Sequence, residues 1–183
     1  MAPASVREAV THGHQVIVQS LAGEGIGASD EEYRSIGAEI IDDPQDIFAR
    51  AEMIVKVKEP QENERSMLSS GQILFTYLHL APDPDQTRDL VASGATCIAY
   101  ETVTSPHGGL PLLAPMSKVA GRMAIQAGAY CLEQPHGGLG MLLGGVPGVD
   151  PAKVVVLGAG VVGTHAAHIA GGMGADVWVI DRS

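Results

Sequence analysis

Two residues that can do polar chemistry follow neighbouring strand-like segments of the sequence. Lys58 ends the segment "IVKVK", and His79 comes just past the segment "ILFTY". Ligands of a parallel sheet bind at the carboxyl ends of its strands, so we expect the two side chains to converge. A lysine there can hold a substrate carboxylate, and a histidine can transfer a proton near neutral pH. From position alone, a solvated lysine and a hydrogen-bonded core histidine are equally good interpretations.

Two more charged residues stand close to these positions. Lys56 lies two residues before Lys58, on the same side of an extended segment. Glu101 follows the next strand-like segment, "TCIAY". It either faces the same edge of the sheet as His79 or forms an ion pair in its loop.

A glycine signature near the end of the chain predicts a phosphate-binding turn. Gly158, Gly160 and Gly163 form G-x-G-x-x-G between an apolar strand and a helix, and Asp181 lies 23 positions after Gly158. The glycines allow a tight turn, close approach of a pyrophosphate and close packing of helix on strand. The helix N-terminus favours the phosphates, and a carboxylate after the next strand suits the ribose hydroxyls of NAD. The alternative is a glycine turn that binds nothing.

These positions depend on short strands that alternate with helices of about ten residues, a pattern typical of parallel α/β sheets. The expected strands are 15–19, 38–41, 53–57, 73–77, 96–100, 153–157 and 177–181. Helices are expected near 6–11, 30–37, 44–51, 61–68, 83–92, 116–133 and 163–172. Ser29, Asp43 and either Asp83 or Asp85 have the residue types that cap helix N-termini.

The glycine- and proline-rich stretch 134–151 reads as a linker, after which a second α/β unit begins. We therefore expect a domain boundary between Met116 and Pro151. The predicted division is a first domain of residues 1–133, ending in a long linking helix, and the start of a second domain at 134–183. The predicted fold class is α/β, with two Rossmann-like parallel-sheet domains, the second of which is incomplete.

Composition excludes several classes of partner. The 183 residues are 45% hydrophobic and 17% charged, with a net charge of -10. A surface this acidic argues against nucleic acid and anionic membranes as partners. Cys97 and Cys131 lack metal-ligand spacing and are interpreted as reduced core thiols of a cytoplasmic protein. No metal site, membrane span or secretory signal is expected.

Several motifs occurring in order resemble those of bacterial alanine dehydrogenases. They are "VKVKEP", "GQILFTYLHLA", "AYETV", "LPLLAPMSKVAGRMA", "GGVPGV" and "VVVLGAGVVG". The resemblance runs over essentially the whole chain, and the same motifs are shared less closely by the NAD-binding alpha subunit of proton-translocating transhydrogenase.

The resemblance implies an NAD-dependent enzyme that interconverts L-alanine with pyruvate and ammonium in a cleft between two domains. It implies that Lys58 binds the substrate carboxylate or carbonyl and that His79 is the catalytic acid and base. It implies that the adenosine ribose is held by Asp181, and that the other NAD contacts are Ser117, Gly158, Gly160, Val161, Val162 and Gly163. A cytoplasmic homo-oligomer, commonly a hexamer, is the expected assembly.

The resemblance also implies that parts of the family's usual chain are missing here. Members begin with a strand and a substrate-binding arginine ahead of residues 3–6, and continue well beyond Ser183 with a catalytic aspartate. We therefore expect a chain truncated at both ends, with little or no activity alone, because hydride transfer needs the nicotinamide held about 3–3.5 Å from the substrate carbon. Two other interpretations stay open: a transhydrogenase-type NAD-binding subunit with a membrane partner, and a non-catalytic nucleotide-binding remnant.

Overall fold

A computed structural model describes residues 1–182, which form two compact units. The first unit is Met1–Val103, and the second begins at Thr104. This division by packing falls earlier in the chain than the predicted division after residue 133, because the long helix packs within the second unit. Which residues bind substrate and which bind cofactor is a separate question, and the predicted functional division stays a prediction.

The first unit alternates helices and strands along the chain. Its helices are α1 (Pro3–Thr11), α2 (Asp30–Ser35), α3 (Pro44–Arg50), α4 (Glu62–Arg65) and α5 (Pro84–Ser93). Its strands are β1 (Ile17–Gln19), β2 (Glu39–Ile41), β3 (Met53–Val55), β4 (Ile73–Thr76) and β5 (Thr96–Ala99). All pairs are parallel, in a β1–β2 sheet and a β3–β4–β5 sheet, which confirms the α/β class with parallel sheets.

The predicted helix caps are present in the first unit. Ser29 Oγ accepts the amide of Glu32 at 3.2 Å, and Asp43 accepts the amide of Gln45 at 2.9 Å. Of the two candidates for the fifth helix, Asp83 is the cap and accepts the amide of Gln86 at 2.9 Å. Each of these carboxylates or hydroxyls satisfies an N–H group that has no carbonyl partner within its helix.

The central strand β4 positions the chemistry-bearing residues of the first unit. Leu74 is completely buried in a core cluster whose other members are Phe48, Ile54, Leu68, Leu78 and Leu90. Val55 pairs with Phe75, and Thr76 pairs with Ala99, so β3, β4 and β5 end at one edge. The segments that follow them, 56–60, 77–79 and 100–102, therefore leave the sheet side by side.

The second unit contains the long helix α6 (Ala114–Leu132) and a β6 (Lys153–Leu157), α7 (Val161–Gly172), β7 (Asp176–Ile180) unit. Strands β6 and β7 pair in parallel. Helix α7 begins two residues before the predicted start at Gly163. Helix α6 crosses α7 at Gly121, where any Cβ would overlap the carbonyl oxygen of Val162. Glycine therefore permits the closest approach of the two helices.

The two cysteines differ in exposure. Cys97 is half-buried, but Cys131 is exposed near the end of α6, so the interpretation of both as core thiols is wrong for Cys131. Among residues 1–182, no helix combines the length and apolarity that crossing a membrane requires.

Candidate active site and cofactor site

His79 is held at the carboxyl end of β4 in an unusual backbone conformation. Its φ angle is +46°, in the left-handed region that residues with a side chain rarely adopt. The Glu101 carboxylate accepts the amide of His79 at 2.7 Å and the amide of Leu78 at 3.1 Å. Gln86 donates to the carbonyl of Leu78 at 2.6 Å. These bonds hold the strained turn and aim the imidazole away from the core.

The imidazole of His79 contacts a second carboxylate. Its Nδ1 lies 2.5 Å from Glu59 Oε1, and the ring stacks on Tyr77 with centroids 6.0 Å apart. The His79 side chain is 42% exposed and that of Glu59 30%. The ring is therefore anchored through Nδ1 but open to a small molecule. The interpretation of His79 as a core histidine does not fit this exposure.

Lys58 lies beside the same carboxylate, one residue before Glu59. Its carbonyl accepts a hydrogen bond of 2.9 Å from the hydroxyl of Thr76, which is completely buried. This bond fixes the Lys58 backbone to the end of β4, and the side chain is exposed. Lys58 thus leaves the sheet directly before the carboxylate that His79 contacts, and its charge contributes to lowering the pKa of that carboxylate.

Lys56, the other lysine of this segment, has a structural partner. Its Nζ forms a half-buried ion pair with Glu64 at the start of α4. The other oxygen of Glu64 accepts the amide of Gln61 at 2.6 Å. These contacts hold the Lys56 side chain in an ion pair. The Lys58 side chain, by contrast, is exposed.

Both carboxylates beside His79 are shifted toward the ionised form. The pKa of Glu59 is lowered mainly by a hydrogen bond from its own amide, against burial, with further lowering by His79 and Lys58. Burial alone would raise the pKa of Glu101, but the amides of His79, Glu101 and Leu78 and the charge of His79 outweigh it and lower the pKa. The site therefore holds two anions, one at the ring of His79 and one at its backbone amide.

Glu59 is the residue of this site that sequence reasoning missed. Its signal was its position directly after Lys58, at the end of the strand-like segment. Its contact with His79 spans 20 positions along the chain, so spacing alone does not reveal it. Glu101 faces His79, as one of its two interpretations proposed.

The predicted glycine turn connects β6 to α7. Gly158 has a φ angle of +97°, and its amide donates to the carbonyl of Ile180 at 2.7 Å. A Cβ at Gly163 would overlap the carbonyl oxygen of Gly158, whereas a Cβ at Gly160 would meet nothing within 4 Å. The turn is thus tight where helix meets strand and open at Gly160. This is the arrangement that lets a phosphate approach the backbone.

Asp181 lies beside this turn. Its carboxylate accepts the amide of Ala159 within the turn and the amide of Arg182 at 2.6 Å. Val161 and Val162 are exposed in the first turn of α7, where amides have no helical carbonyl to bind. An open cradle, helix-terminal amides and an adjacent carboxylate fit the pyrophosphate and ribose of a dinucleotide.

Ser117 belongs to the same unit as the glycine turn. It lies one turn before Gly121 on the same face of α6. Gly121 meets the first turn of α7 at Val162, and the later residue Ile125 packs in the cluster that contains Ala170. The half-buried Ser117 is therefore on the side of α6 that points toward the start of α7.

Family models match both parts of the chain. The N-terminal domain of the family described as alanine dehydrogenase/PNT matches residues 1–120. The C-terminal domain of the same family matches residues 124–183. Together the two matches cover nearly the whole sequence.

Several curated relatives are named alanine dehydrogenase. That of Halomonas elongata is 58% identical over 183 residues, which are 100% of this chain and 49% of the relative. That of Mycolicibacterium smegmatis is 55% identical, over 98% of this chain and 48% of the relative. That of Bacillus subtilis is 52% identical, over 99% and 47%. The chain spans about half the length of the curated relatives it matches.

Solved structures of the same family are similar to this chain. An L-alanine dehydrogenase structure superposes with a TM-score of 0.91 at 50% identity, covering 100% of this chain and 50% of that one. A transhydrogenase from Sinorhizobium meliloti superposes with a TM-score of 0.78 at 26% identity, covering 99% and 54%. The resemblance seen in the sequence is confirmed, and the transhydrogenase is the more distant of these two neighbours.

Proposed function

We propose, because this chain belongs to the alanine dehydrogenase/PNT family, that its two sites serve the NAD-dependent interconversion of L-alanine with pyruvate and ammonium. The reaction converts L-alanine, NAD⁺ and water into pyruvate, ammonium, NADH and a proton. The observation that supports the proposal is the contact of His79 with Glu59, the residue after exposed Lys58, at the carboxyl end of a parallel sheet.

In this proposal, Lys58 binds the carboxylate or carbonyl of the substrate. An exposed ammonium on a backbone anchored by Thr76 suits a small anion such as pyruvate. His79 moves protons as the carbinolamine and imine form and break down, while Glu59 contacts its ring and Glu101 holds its backbone amide. Both roles are supported by the polar, open surroundings of the two side chains.

The proposed cofactor is NAD, which accepts the hydride from the substrate carbon when bound. Besides Asp181, the proposed NAD contacts are Ser117, Gly158, Gly160, Val161, Val162 and Gly163. Asp181 would accept hydrogen bonds from the ribose hydroxyls and would repel the additional phosphate of NADP. The open space at Gly160 and the carboxylate at the turn support this assignment.

We further propose that the chain as it stands turns over alanine little or not at all. Within residues 1–182, the second unit has a sheet of two strands, and its described site features suit the adenosine and pyrophosphate of NAD. Precise placement of the nicotinamide is what converts binding into a fast reaction. Binding is therefore the more informative measurement for this chain.

Isothermal titration with NAD and with pyruvate tests the proposal. Lys58→Gln is expected to weaken pyruvate binding at least tenfold and leave NAD binding unchanged. Arg88→Gln removes one positive charge from the exposed face of helix α5, where Arg88 pairs with Asp85, and serves as the matched control. Pyruvate binding that survives Lys58→Gln, or that falls equally in both variants, would contradict the assignment.

A transhydrogenase-type NAD-binding subunit is the second candidate. The fold similarity over 99% of the chain supports it, but the identity is 26%, against 52–58% for the named alanine dehydrogenases. This candidate predicts NAD binding without pyruvate binding, so the same titrations separate the two. A non-catalytic nucleotide-binding remnant makes the same prediction, so pyruvate binding that depends on Lys58 argues against both alternatives.

The proposed assembly is a cytoplasmic homo-oligomer, a hexamer in the full-length family. The apolar residues Leu157, Trp178 and Ile180 are exposed on the β6–β7 sheet, which supports association of this face with other protein surfaces. Light scattering coupled to size exclusion measures the assembly directly. A monomer at all concentrations would contradict this part of the proposal.

A further inference from the structure

We propose that Glu59 is a positioning residue that keeps the proton of His79 on Nδ1 and thereby leaves Nε2 as the atom that exchanges protons with substrate. The contact that carries the inference is the 2.5 Å approach of Glu59 Oε1 to His79 Nδ1. The chemistry assigned to Nε2 rests on the proposed function. The position of the proton on Nδ1 does not rest on the proposed function.

The Glu59 backbone is fixed on both sides, which a positioning role requires. Before it, the carbonyl of Lys58 is bound by the buried hydroxyl of Thr76. After it, Pro60 is fully buried, and its carbonyl accepts a hydrogen bond of 3.3 Å from Arg65. The carboxylate therefore projects from a rigid segment and not from a mobile loop.

Ionisation of Glu59 sets the direction of the hydrogen bond. Its lowered pKa, caused mainly by its own amide and aided by His79 and Lys58, keeps it a carboxylate near neutral pH. An ionised carboxylate only accepts hydrogen bonds, so Nδ1 of His79 must donate. A neutral imidazole protonated on Nδ1 carries its lone pair on Nε2.

The backbone of His79 limits the ring from the other side. Glu101 binds the His79 amide, and the left-handed φ angle sets the direction in which the side chain leaves the main chain. The ring is then held through Nδ1 by Glu59 and through one face by Tyr77. Because Nδ1 is occupied and the side chain is 42% exposed, we infer that Nε2 is the nitrogen available to a ligand.

Nitrogen-15 NMR of the chain labelled at its seven histidines tests the inference. His79→Gln identifies the His79 signals. At alkaline pH, where imidazoles are neutral, the unmodified chain is expected to show protonated Nδ1. Glu59→Leu is expected to move the tautomer ratio about tenfold or more toward protonated Nε2, because a charge-assisted hydrogen bond is lost. Glu59→Gln, which keeps the shape, should give an intermediate ratio.

Glu62→Gln is the matched control, since Glu62 is an exposed carboxylate three residues away. It should leave the tautomer unchanged. Protonated Nε2 in the unmodified chain, or an unchanged ratio in both Glu59 variants, would overturn the inference.

Adding pyruvate separates this inference from the proposed function. A shift of the Nε2 signal with pyruvate, in a chain whose tautomer follows Glu59, supports both. A tautomer that follows Glu59 without any pyruvate response contradicts the proposed function and leaves the positioning of His79 intact. A pyruvate response in a chain whose tautomer ignores Glu59 overturns the positioning alone.

Discussion

Glu101 accepts the backbone amide of His79 at 2.7 Å, across 22 positions of the chain. The bond connects the segments that follow two adjacent strands, β4 and β5. It is made by the amide of His79, whose backbone is left-handed. The orientation of the imidazole therefore depends on a carboxylate that follows a different strand. Substituting either residue is therefore expected to change the stability of the chain.

Replacing His79 with glycine should destabilise the chain less than replacing it with alanine. Glycine adopts a φ angle of +46° without steric cost, whereas alanine retains a Cβ that is disfavoured there. The free energy of unfolding is expected to be about 1 kcal/mol higher for His79→Gly than for His79→Ala. Urea denaturation of both variants checks this order, and a more stable alanine variant would show that the turn is not strained.

Replacing Glu101 with glutamine should reduce the dependence of stability on acid. Because folding lowers the pKa of Glu101, its carboxylate stabilises the folded state above the ordinary carboxyl pKa of about 4.3. That contribution is lost as the pH falls through the lower, folded pKa. Between neutral pH and pH about 3, the free energy of unfolding should fall less steeply for Glu101→Gln than for the unmodified chain.

The Glu101 variant should also be less stable at neutral pH, by about 1–3 kcal/mol, because the bonds to two amides lose the charge of their acceptor. The exposed carboxylate Glu62, replaced by glutamine, controls for the loss of one negative charge. A Glu101 variant with the same acid profile as the Glu62 variant would contradict the role of these bonds.

Two glycines of the turn should differ in how much replacement by alanine lowers the stability of the chain. Gly163→Ala places a methyl group against the carbonyl of Gly158 and is expected to lower the unfolding free energy by about 2–3 kcal/mol. Gly160→Ala meets no atom within 4 Å, so its effect on stability should be about 1 kcal/mol or less. Calorimetry measures both changes in stability. In a titration with NAD, Gly160→Ala should weaken binding at least tenfold. Unchanged NAD affinity would argue against a phosphate at this turn.

The buried amide of Gln86 should be essential for the His79 turn. Gln86 is 1% exposed and donates to the carbonyl of Leu78 at 2.6 Å. Gln86→Ala would leave that buried carbonyl unpaired, at a cost of about 1–3 kcal/mol in unfolding free energy. Gln45→Ala, at an exposed position near the start of α3, should change stability by less than about 0.5 kcal/mol. Equal effects of the two substitutions in thermal unfolding would contradict this account.

Features that depend on local spacing were predictable from the sequence. Ser29, Asp43 and Asp83 cap the helices that their types and positions indicated, and strand β6 has the predicted bounds. The glycine turn also follows from spacing, since its strand, helix and acid are close along the chain. Strand ends were less well predicted. Strands β3 and β4 end at Val55 and Thr76, before the predicted ends at residues 57 and 77.

The contacts of the candidate site could not be predicted in the same way. Glu59 and Glu101 reach His79 from 20 and 22 positions away, and only the parallel register of β3, β4 and β5 makes them neighbours. The packing boundary at Thr104 likewise depends on which surface the long helix covers. It covers α7, at a glycine contact that periodicity does not indicate.

The sequence by itself determined the α/β class, the family and the residues at the strand ends, because helix caps, glycine spacing and apolar runs act over a few residues. The tertiary structure alone decided which charges meet. It paired Lys56 with Glu64, left Lys58 exposed and placed His79 between two carboxylates. The physical reason is that electrostatic and hydrogen-bond partners are set by distance in space, which the pairing of strands creates.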